Sequence, residues 1–349
     1  MPATRLLSLD AFRGLTIAAM VLVNNPGTWS AVYRPLRHAE WNGLTPTDLV
    51  FPFFLFIVGV AIPLSQPTPG RVLRRAAVIF ALGLLLNFIG NPDLTTIRVP
   101  GVLQRIALCY TAAAVLYRAT SWRTQSLVTA ALLLGYWAAL TLVPVPEFGR
   151  GVLTPEGNLA AWIDRAVLGP HVWKVSRVYD PEGILSTLPA IATTLIGVLA
   201  GLWIQSGRPP RAIYTGLMWT GMVGIVLGAA WSLAFPLNKS LWTSSYVLLT
   251  AGFALGIFAA CYQVIDVHGR RAWAAPFVVL GVNALALYFL STLAAILLAR
   301  TGARRWIFEH AFALWAAPID ASLAYAGAFL LVWWCVLWGL DRADIRLRA

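Results

Sequence analysis

Apolar stretches long enough to cross a bilayer recur along the whole chain, and short polar segments separate them. A hydrocarbon core of about 30 Å needs about 20 apolar residues in a helix. Hydrophobic residues make up 59% of the 349 residues and charged residues only 11%, whereas soluble proteins average about 25% charged residues. The pattern predicts an all-α polytopic membrane protein with about ten transmembrane helices. The predicted spans are 6–25, 47–65, 73–90, 100–117, 124–143, 186–205, 212–234, 241–262, 273–298 and 319–340.

The loops between these spans alternate in charge. One set is short and strongly basic, which is typical of the cytoplasmic side of a membrane. The alternate set is longer and mixed in charge, although 299–318 is locally basic. With ten spans, both termini are expected on the cytoplasmic side. The basic set contains Arg5, Arg71, Arg74, Arg75, Arg118, Arg123, Arg208, Arg211, Arg270, Arg271, Arg342, Arg346 and Arg348.

This distribution explains the net charge of +12 by topology and lipid headgroups rather than by binding of nucleic acid. We expect one transmembrane domain over 1–349, in which 144–185 is a long non-cytoplasmic loop. The first apolar stretch lacks a small-residue cleavage site and is expected to be retained. Asp10 and Arg13 near its start share a helix face, as a local ion pair or at a ligand mouth. The Gly-x-x-x-Gly spacings at 197–201, 224–228 and 252–256 indicate close intramolecular helix packing.

The segment from Asn24 to Asp48 is unusually polar for so apolar a chain and contains His38, one of four histidines. The alternating loops place 26–46 on the non-cytoplasmic side. Imidazole is the usual general base for an amine or hydroxyl nucleophile, and it can itself carry an acyl group. Asp48 could orient the ring, and Asn24 could donate a hydrogen bond to a developing oxyanion. The alternatives are a solvated surface histidine and a helix-capping aspartate.

Other polar residues occur at the ends of predicted spans on the same side. Arg105, beside Gln104, lies within the fourth span, where an unpaired cation is costly, so a carboxylate or a ligand anion is expected near it. Asp180 and Glu182 precede the sixth span. The segment 238–245 opens the eighth span, where its hydroxyls and free N–H groups form either an anion or carbonyl site or a helix cap. The segment contains Asn238, Lys239, Trp242, Ser244 and Ser245.

Several motifs in order resemble the heparan-α-glucosaminide N-acetyltransferase family and its bacterial homologues. They are 9–16 (LDAFRGLT), 23–24 (VN), 38–45 (HAEWNGLT), 48–59 (DLVFPFFLFIVG), 101–105 (GVLQR), 180–183 (DPEG) and 238–245 (NKSLWTSS). The resemblance runs from about residue 5 to the C-terminus. The animal member is a lysosomal membrane enzyme that transfers acetyl from cytosolic acetyl-CoA to the terminal glucosamine amine of heparan sulfate on the lumenal side. The chain is expected to lack that enzyme's lumenal domain and its preceding helix.

The resemblance implies His38 as acyl acceptor or general base, with Asn24 and Asp48 beside it. It implies acetyl-CoA as co-substrate, no metal, and an amino-sugar acceptor at a bacterial cytoplasmic (inner) membrane, and it leaves a homodimer open. The alternative function is a sugar or organic-anion transporter, which the lack of a visible internal repeat disfavours. Candidate substrate-binding residues are Trp41, Asn42, Gln104, Arg105, Asp180, Glu182, Asn238, Lys239, Trp242, Ser244 and Ser245.

Overall fold

A computed structural model describes residues 6–343 of the protein. This part of the chain is helical, and its only extended pairing is an isolated bridge between Val145 and Gly149. The predicted all-α class is therefore confirmed. The α-helices over residues 6–343 are α1 (Leu7–Asn24), α2 (Val50–Ser65), α3 (Pro69–Gly90), α4 (Val102–Ala119), α5 (Trp122–Leu142), α6 (Leu159–Leu168), α7 (Thr187–Ile204), α8 (Pro210–Trp231), α9 (Ser244–Cys261), α10 (Ala275–Val282), α11 (Ala284–Arg300), α12 (Ala303–Ile307) and α13 (Pro318–Arg342).

Eight helices among residues 6–343 are long and apolar enough to cross a membrane, so the polytopic prediction is confirmed, although by length and apolar composition alone fewer helices qualify than the ten predicted. They are α1, α3, α5, α7, α8, α13, α2 with the turn before it (Pro46–Ser65), and α9 with its π-helical continuation (Ser244–Val267). The fourth predicted span is helical, as α4, but is not among the eight because Gln104, Arg105 and Arg118 make it more polar.

The ninth predicted span, 273–298, is not one straight helix. It consists of α10 and α11, which meet at Asn283 with a bend of 68°. Asn283 has φ −111° and ψ 26°, which is outside the helical region, so the backbone changes direction there. The pair counts as a ninth span only if both helices cross the membrane together.

The chain divides into two compact units. The first unit contains Glu40–Leu44 and Leu55–Ala259, and the second contains, among the described residues, 6–39, Thr45–Phe54 and 260–343. The division falls inside α2 and near the end of α9.

Close helix contacts through glycine hold the first unit together. A Cβ on Gly59 of α2 would lie 2.0 Å from the Thr194 carbonyl oxygen of α7, and one on Gly197 would lie 2.1 Å from the Phe56 carbonyl oxygen. Gly224 of α8 and Gly252 of α9 approach each other's helix backbone in the same way. Small residues let helices approach closely where burial of apolar surface gives little driving force. The intramolecular interpretation of these Gly-x-x-x-Gly spacings is confirmed.

The second unit is built around α1 and α10. A Cβ on Gly14 of α1 would lie 1.7 Å from the Phe277 carbonyl oxygen, and one on Gly281 would lie 1.9 Å from the Asp10 carbonyl oxygen. Arg13 Nη1 donates to Asp10 Oδ1 at 3.0 Å, so the predicted local ion pair is present.

The 144–185 loop of the first unit has structure of its own. Asn158 begins α6, and its Oδ1 accepts the Ala161 N–H at 2.7 Å, as an N-cap residue does. Leu159 of α6 and Val145 pack into an apolar cluster with residues of α5 and with Phe235. The loop is therefore anchored to the helices rather than extended from them.

Candidate functional site

His38 and Asp48 form the hydrogen-bonded pair at the centre of the polar segment, and both lie in the second unit. His38 Nδ1 is 2.6 Å from Asp48 Oδ1. The Asp48 side chain is 1% exposed, whereas 45% of the His38 side chain is exposed. A buried carboxylate thus holds one edge of an imidazole whose other edge is accessible. The predicted contact between these two residues is present.

The local sequence explains why the carboxylate lies there. Pro46 starts a short 3₁₀ turn before α2, and Thr45 caps it. Asp48 Oδ2 accepts the backbone N–H groups of Thr45 at 2.9 Å and Ala39 at 3.1 Å. The Thr47 hydroxyl donates to the Pro35 carbonyl oxygen at 3.0 Å, which holds the chain before His38 against the same turn. Asp48 is therefore both the capping acid of the alternative interpretation and the partner of His38.

This arrangement fixes the chemistry available to the imidazole. A carboxylate at Nδ1 favours the tautomer that carries its proton there and stabilises the imidazolium form. The lone pair then lies on Nε2, the nitrogen not bonded to Asp48. Nε2 is equipped to accept a proton or to attack an electrophilic carbonyl carbon.

Asn24, the third predicted catalytic residue, is the last residue of α1 and is exposed. Its neighbour Asn25 is buried and donates from Nδ2 to the Val21 carbonyl oxygen at 2.7 Å. The structure thus assigns the helix-terminating hydrogen bond to Asn25 and leaves Asn24 accessible. An oxyanion role for Asn24 stays a prediction.

The first unit contains a separate buried cluster of charged residues. Arg98 donates from Nε to Asp180 Oδ2 at 2.8 Å and from Nη2 to Asp180 Oδ1 at 2.5 Å, and Nη2 also donates to Glu182. Burial opposes the charge of Arg98, but the two carboxylates outweigh it, and the pKa of the guanidinium is raised. Bidentate geometry of this kind is the strong form of an ion pair. Two predicted binding residues, Asp180 and Glu182, are therefore engaged within the protein.

Arg105 lies deeper in the same unit and is 1% exposed. Its Nη2 donates to Ser186 Oγ and to the Gly183 carbonyl oxygen, and its guanidinium carbon lies 5.2 Å from the ring centroid of Trp242. Among the described residues, Nε and Nη1 of Arg105 have no hydrogen-bond partner. The carboxylate that interacts with Arg105 is Glu182, which does so through its charge rather than through a hydrogen bond. Burial would raise the pKa of Glu182, but the charges of Arg98, Arg105 and Lys239 together lower it.

Trp242 adopts an unusual backbone conformation beside Arg105. Its φ is 54°, in the left-handed region that bulky side chains rarely occupy. The indole is 1% exposed, and Nε1 donates to Thr193 Oγ1 at 3.1 Å. Residues held in this region cluster at functional sites. The strain and the cation–π contact together distinguish Trp242 from the interfacial tryptophans of the chain.

Three further predicted residues join distant parts of the first unit. Asn238 Nδ2 donates to Asn42 Oδ1 at 3.1 Å. Trp41 donates from Nε1 to the Leu153 carbonyl oxygen at 2.8 Å, and its ring contacts Tyr179 edge to face at 5.0 Å. Asn42 is exposed, whereas Asn238 is fully buried. Asn42 therefore presents an accessible amide group, which a hydrogen bond from the buried Asn238 amide holds in place.

Ser244, Ser245 and Gln104 are placed differently from the binding role predicted for them. Ser244 Oγ donates to the Leu133 carbonyl oxygen at 2.6 Å, and Ser245 Oγ donates to the Phe235 carbonyl oxygen at 2.5 Å. Gln104 is buried so tightly against α3 that a Cβ on Gly83 would lie 2.3 Å from its Oε1. These contacts fit the structural alternative of caps and packing, and their role in binding stays a prediction.

Arg98 and Asp164 are the charged residues that the sequence analysis did not identify. Asp164 Oδ1 accepts the Ile184 N–H at 2.9 Å, and a Cβ on Gly183 would lie 2.0 Å from its Oδ2. Burial raises the pKa of Asp164 to about 6, with a smaller contribution from Asp180. Arg98 and Asp164 both lie between predicted spans, where charge is ordinary. The sequence signal at Asp164 was its position as the one acidic residue, beside Arg165, in the amphipathic stretch Leu159–Leu168.

Among residues 6–343, no three His, Cys, Asp or Glu side chains lie together as the ligands of a metal ion would.

The helices and the carboxylate-bonded histidine define a polytopic membrane protein with a site suited to proton or acyl transfer. Residues 5–221 match the family model described as "Heparan-alpha-glucosaminide N-acetyltransferase, catalytic". The match covers more than half of the chain, and the chain belongs to this family.

Two curated relatives show the same similarity. The Homo sapiens heparan-alpha-glucosaminide N-acetyltransferase is 32% identical over 352 aligned positions, covering 81% of this chain and 52% of the relative. The Mus musculus protein of the same name is 32% identical over 354 positions, covering 82% and 53% respectively. The chain therefore spans about half the length of the curated relatives it matches.

Proposed function

We propose that the protein is a transmembrane N-acetyltransferase. It takes an acetyl group from cytosolic acetyl-CoA and delivers it to the amine of a glucosamine-type sugar on the opposite side of the membrane. The observation that carries this proposal is the His38–Asp48 pair, with Nδ1 and Oδ1 at 2.6 Å, the carboxylate buried and the imidazole accessible. Family membership supports the reaction class, and the relatives are named for N-acetyl transfer to a glucosaminide.

His38 can serve in two ways. In the first, Nε2 attacks the thioester carbonyl carbon, the carbon–sulfur bond breaks, and coenzyme A leaves as a thiolate that takes up a proton. The sugar amine then attacks the acetyl-imidazole, loses its proton, and leaves the ring free. In the second, the amine attacks the thioester directly while Nε2 accepts the proton that the amine loses. In both routes Asp48 holds the ring and stabilises its positive form.

The two substrates are proposed to reach the protein from opposite faces. The short basic loops mark one face as cytoplasmic, and Arg71, Arg75, Arg211 and Arg271 in those loops are suited to the phosphates of acetyl-CoA. The segment that carries His38 belongs to the other set of loops. We expect the membrane to be the bacterial cytoplasmic membrane.

The predicted binding residues of the first unit are of the kinds that recognise sugars. Amides and aromatic rings are suited to the hydroxyls and faces of a sugar, and Asn42, supported by Asn238, presents an accessible amide. Trp41 has its indole N–H fixed by the Leu153 carbonyl oxygen, which sets the plane of its ring. Arg105 and Trp242 are proposed to stabilise the surrounding loop rather than to contact solvent, because both are 1% exposed.

The test uses the purified full chain with acetyl-labelled acetyl-CoA and glucosamine. We expect N-acetylglucosamine to form, and we expect His38→Ala to abolish its formation. His310→Ala is the matched control, because His310 is exposed and its Nδ1 faces only the Trp306 carbonyl oxygen of its own helix. Label retained on His38 after an acid quench supports the acetyl-imidazole route. Acetyl transfer that persists in His38→Ala contradicts the proposal.

A second experiment addresses the other candidate, a sugar or organic-anion transporter. A transporter reconstituted in vesicles moves glucosamine across the membrane without consuming acetyl-CoA. Family membership favours the transferase. Glucosamine uptake that is independent of acetyl-CoA and unaffected by His38→Ala would support transport instead.

A further inference from the structure

An apolar groove of about 830 Å³ runs along the first unit between α5 and α8, with α7 and α9 as its floor. Its walls are largely Leu, Ile, Val, Gly and Ala side chains, among them Leu217, Val223, Leu227 and Leu248. All four helices are among those long and apolar enough to cross a membrane. In a bilayer, such a groove is filled by hydrocarbon, because its walls offer few groups to hydrogen-bond water.

The groove arises from the way α8 is attached. Gly221 and Gly224 bring α8 against Gly252 of α9, since a Cβ on Gly221 would lie 2.9 Å from the Gly252 carbonyl oxygen. Gly216 lets the ring of Trp203 lie against α8, at 2.6 Å from where a Cβ would be. These contacts hold α8 to α9 and to the end of α7, and the start of α5 adds Trp122 and Ser126 to the lining.

One end of the groove is polar and positively charged. Arg208, just before α8, is the only charged residue in its lining. Ser126 and Ser206 also line the groove, and their hydroxyls donate to the Trp122 and Trp203 carbonyl oxygens. The guanidinium carbon of Arg208 lies 4.5 Å from the ring centroid of Trp203. Stacking on an indole leaves the N–H edge of the guanidinium free to meet a phosphate. No aspartate or glutamate lines the groove, so a cationic headgroup would find no partner there.

The length of the groove matches one leaflet. Along α8 it extends from Gly216 to Leu227, which is about 16 Å at about 1.5 Å per residue. One leaflet of a hydrocarbon core of about 30 Å is about 15 Å thick. An acyl chain whose headgroup sits at Arg208 would therefore run the depth of its own leaflet along this surface.

We propose that this groove is a binding site for an anionic glycerophospholipid. The phosphate is held by Arg208, and an acyl chain lies along α8 against Leu217, Val223 and Leu227. The site shares no residue with the His38–Asp48 pair and does not depend on the proposed acetyl transfer.

The test is native mass spectrometry of the detergent-purified full chain, titrated with phosphatidylglycerol or phosphatidylcholine of identical acyl chains. We expect the first phosphatidylglycerol to bind about fivefold more tightly, the preference that one arginine near the headgroups gives. Arg208→Gln removes this preference. The matched control is Arg342→Gln, because Arg342 also lies over an indole, that of Trp338 at 4.0 Å, but outside the groove.

A second pair of variants tests the acyl-chain part of the site. Val223→Trp fills the groove and weakens binding of both lipids, whereas Met222→Trp leaves both unchanged. The two positions are matched, since Val223 is 52% exposed and lines the groove and Met222 is 53% exposed and does not. Equal behaviour within either pair of variants overturns the proposal. Release of the bound lipid by coenzyme A, one for one, also overturns it and assigns the groove to the acyl donor.

Discussion

The substitution Asp48→Asn separates the two functions of this carboxylate, capping and orientation of His38. Asp48 Oδ2 accepts two backbone N–H groups, and Oδ1 faces His38 Nδ1. An amide oxygen in place of Oδ2 keeps both backbone hydrogen bonds. The amide nitrogen then faces Nδ1 as a donor, which forces the imidazole to carry its proton on Nε2. Nε2, the nitrogen proposed to accept the proton or the acetyl group, thereby loses its lone pair.

The magnitude follows from this change of tautomer. Serine-protease triads lose about 10,000-fold in kcat when their aspartate becomes asparagine. The His38 side chain is 45% exposed, so rotation of its ring recovers part of the loss. We expect acetyl transfer to fall about 100- to 1000-fold, or about 3 to 4 kcal/mol of transition-state stabilisation. The fold should lose only about 1 to 2 kcal/mol, because the hydrogen bonds become neutral but are not removed.

The assay is a double-mutant cycle on the rate of N-acetylglucosamine formation, with thermal unfolding measured in parallel. If Asp48 acts through His38, the variant with both Asp48→Asn and His38→Ala is no slower than His38→Ala alone. Thr45→Val serves as the control for the cap, since it removes a hydroxyl near Oδ2 and leaves His38 paired. Multiplicative losses in the double variant would refute the orienting role of Asp48.

Three further predictions concern stability, measured by thermal or denaturant unfolding in detergent. Burial raises the pKa of Asp164 to about 6 from an ordinary value near 3.8. The contribution of Asp164 to the free energy of unfolding is therefore fully present below about pH 3.8, and about 3 kcal/mol of it is lost as the pH rises through about 6. Asp164→Asn should flatten this dependence of stability on pH. Gly59→Ala, which places a methyl group 2.0 Å from a backbone oxygen, should cost about 1 to 3 kcal/mol, whereas Gly135→Ala, with open space around it, should be neutral or stabilising. Arg98→Leu should cost about 3 to 5 kcal/mol by stranding two buried carboxylates, whereas Arg305→Leu, in an exposed pair, should change little.

The sequence predicted the contact between His38 and Asp48 because the pairing is local. His38 and Asp48 are ten positions apart, and the Thr45-Pro46 turn between them has a recognisable capping pattern. Asn24 and Asn25 show the limit of the same reasoning. Two adjacent amides at a helix end look alike in sequence, and which of them turns inward is decided by packing.

The charged cluster of the first unit lay beyond the sequence analysis because its contacts are long-range. Arg98 meets Asp180 across 82 positions, and Asn238 meets Asn42 across 196. Hydrophobic periodicity carries no information on which charged residues of different loops form ion pairs with each other. The motif containing Asp180 and Glu182 was visible, but its partner was one loop arginine among many.

The number of spans depends on whether α4 crosses the membrane. The burial of its polar residues favours a crossing, although its average hydropathy does not. Its polar residues Gln104 and Arg105 are buried in the protein, whereas Leu108 and Val115, one heptad apart, are exposed and apolar. Average hydropathy penalises a polar residue whichever way it faces, but lipid meets only the outer face. We therefore expect α4 to cross the membrane. Eight helices, the bent pair and α4 then make ten spans, which places both termini on one side, as the loop charges require.

Cysteine labelling tests whether α4 crosses the membrane. In a Cys335→Ser background, Leu94→Cys before α4 and Arg123→Cys after it should react with a membrane-impermeant thiol reagent from opposite sides, since both positions are exposed. Reaction of both from the same side would mean that α4 does not cross. The termini would then lie on opposite sides of the membrane, and the assignment of His38 to the face opposite acetyl-CoA would lose the topology on which it rests.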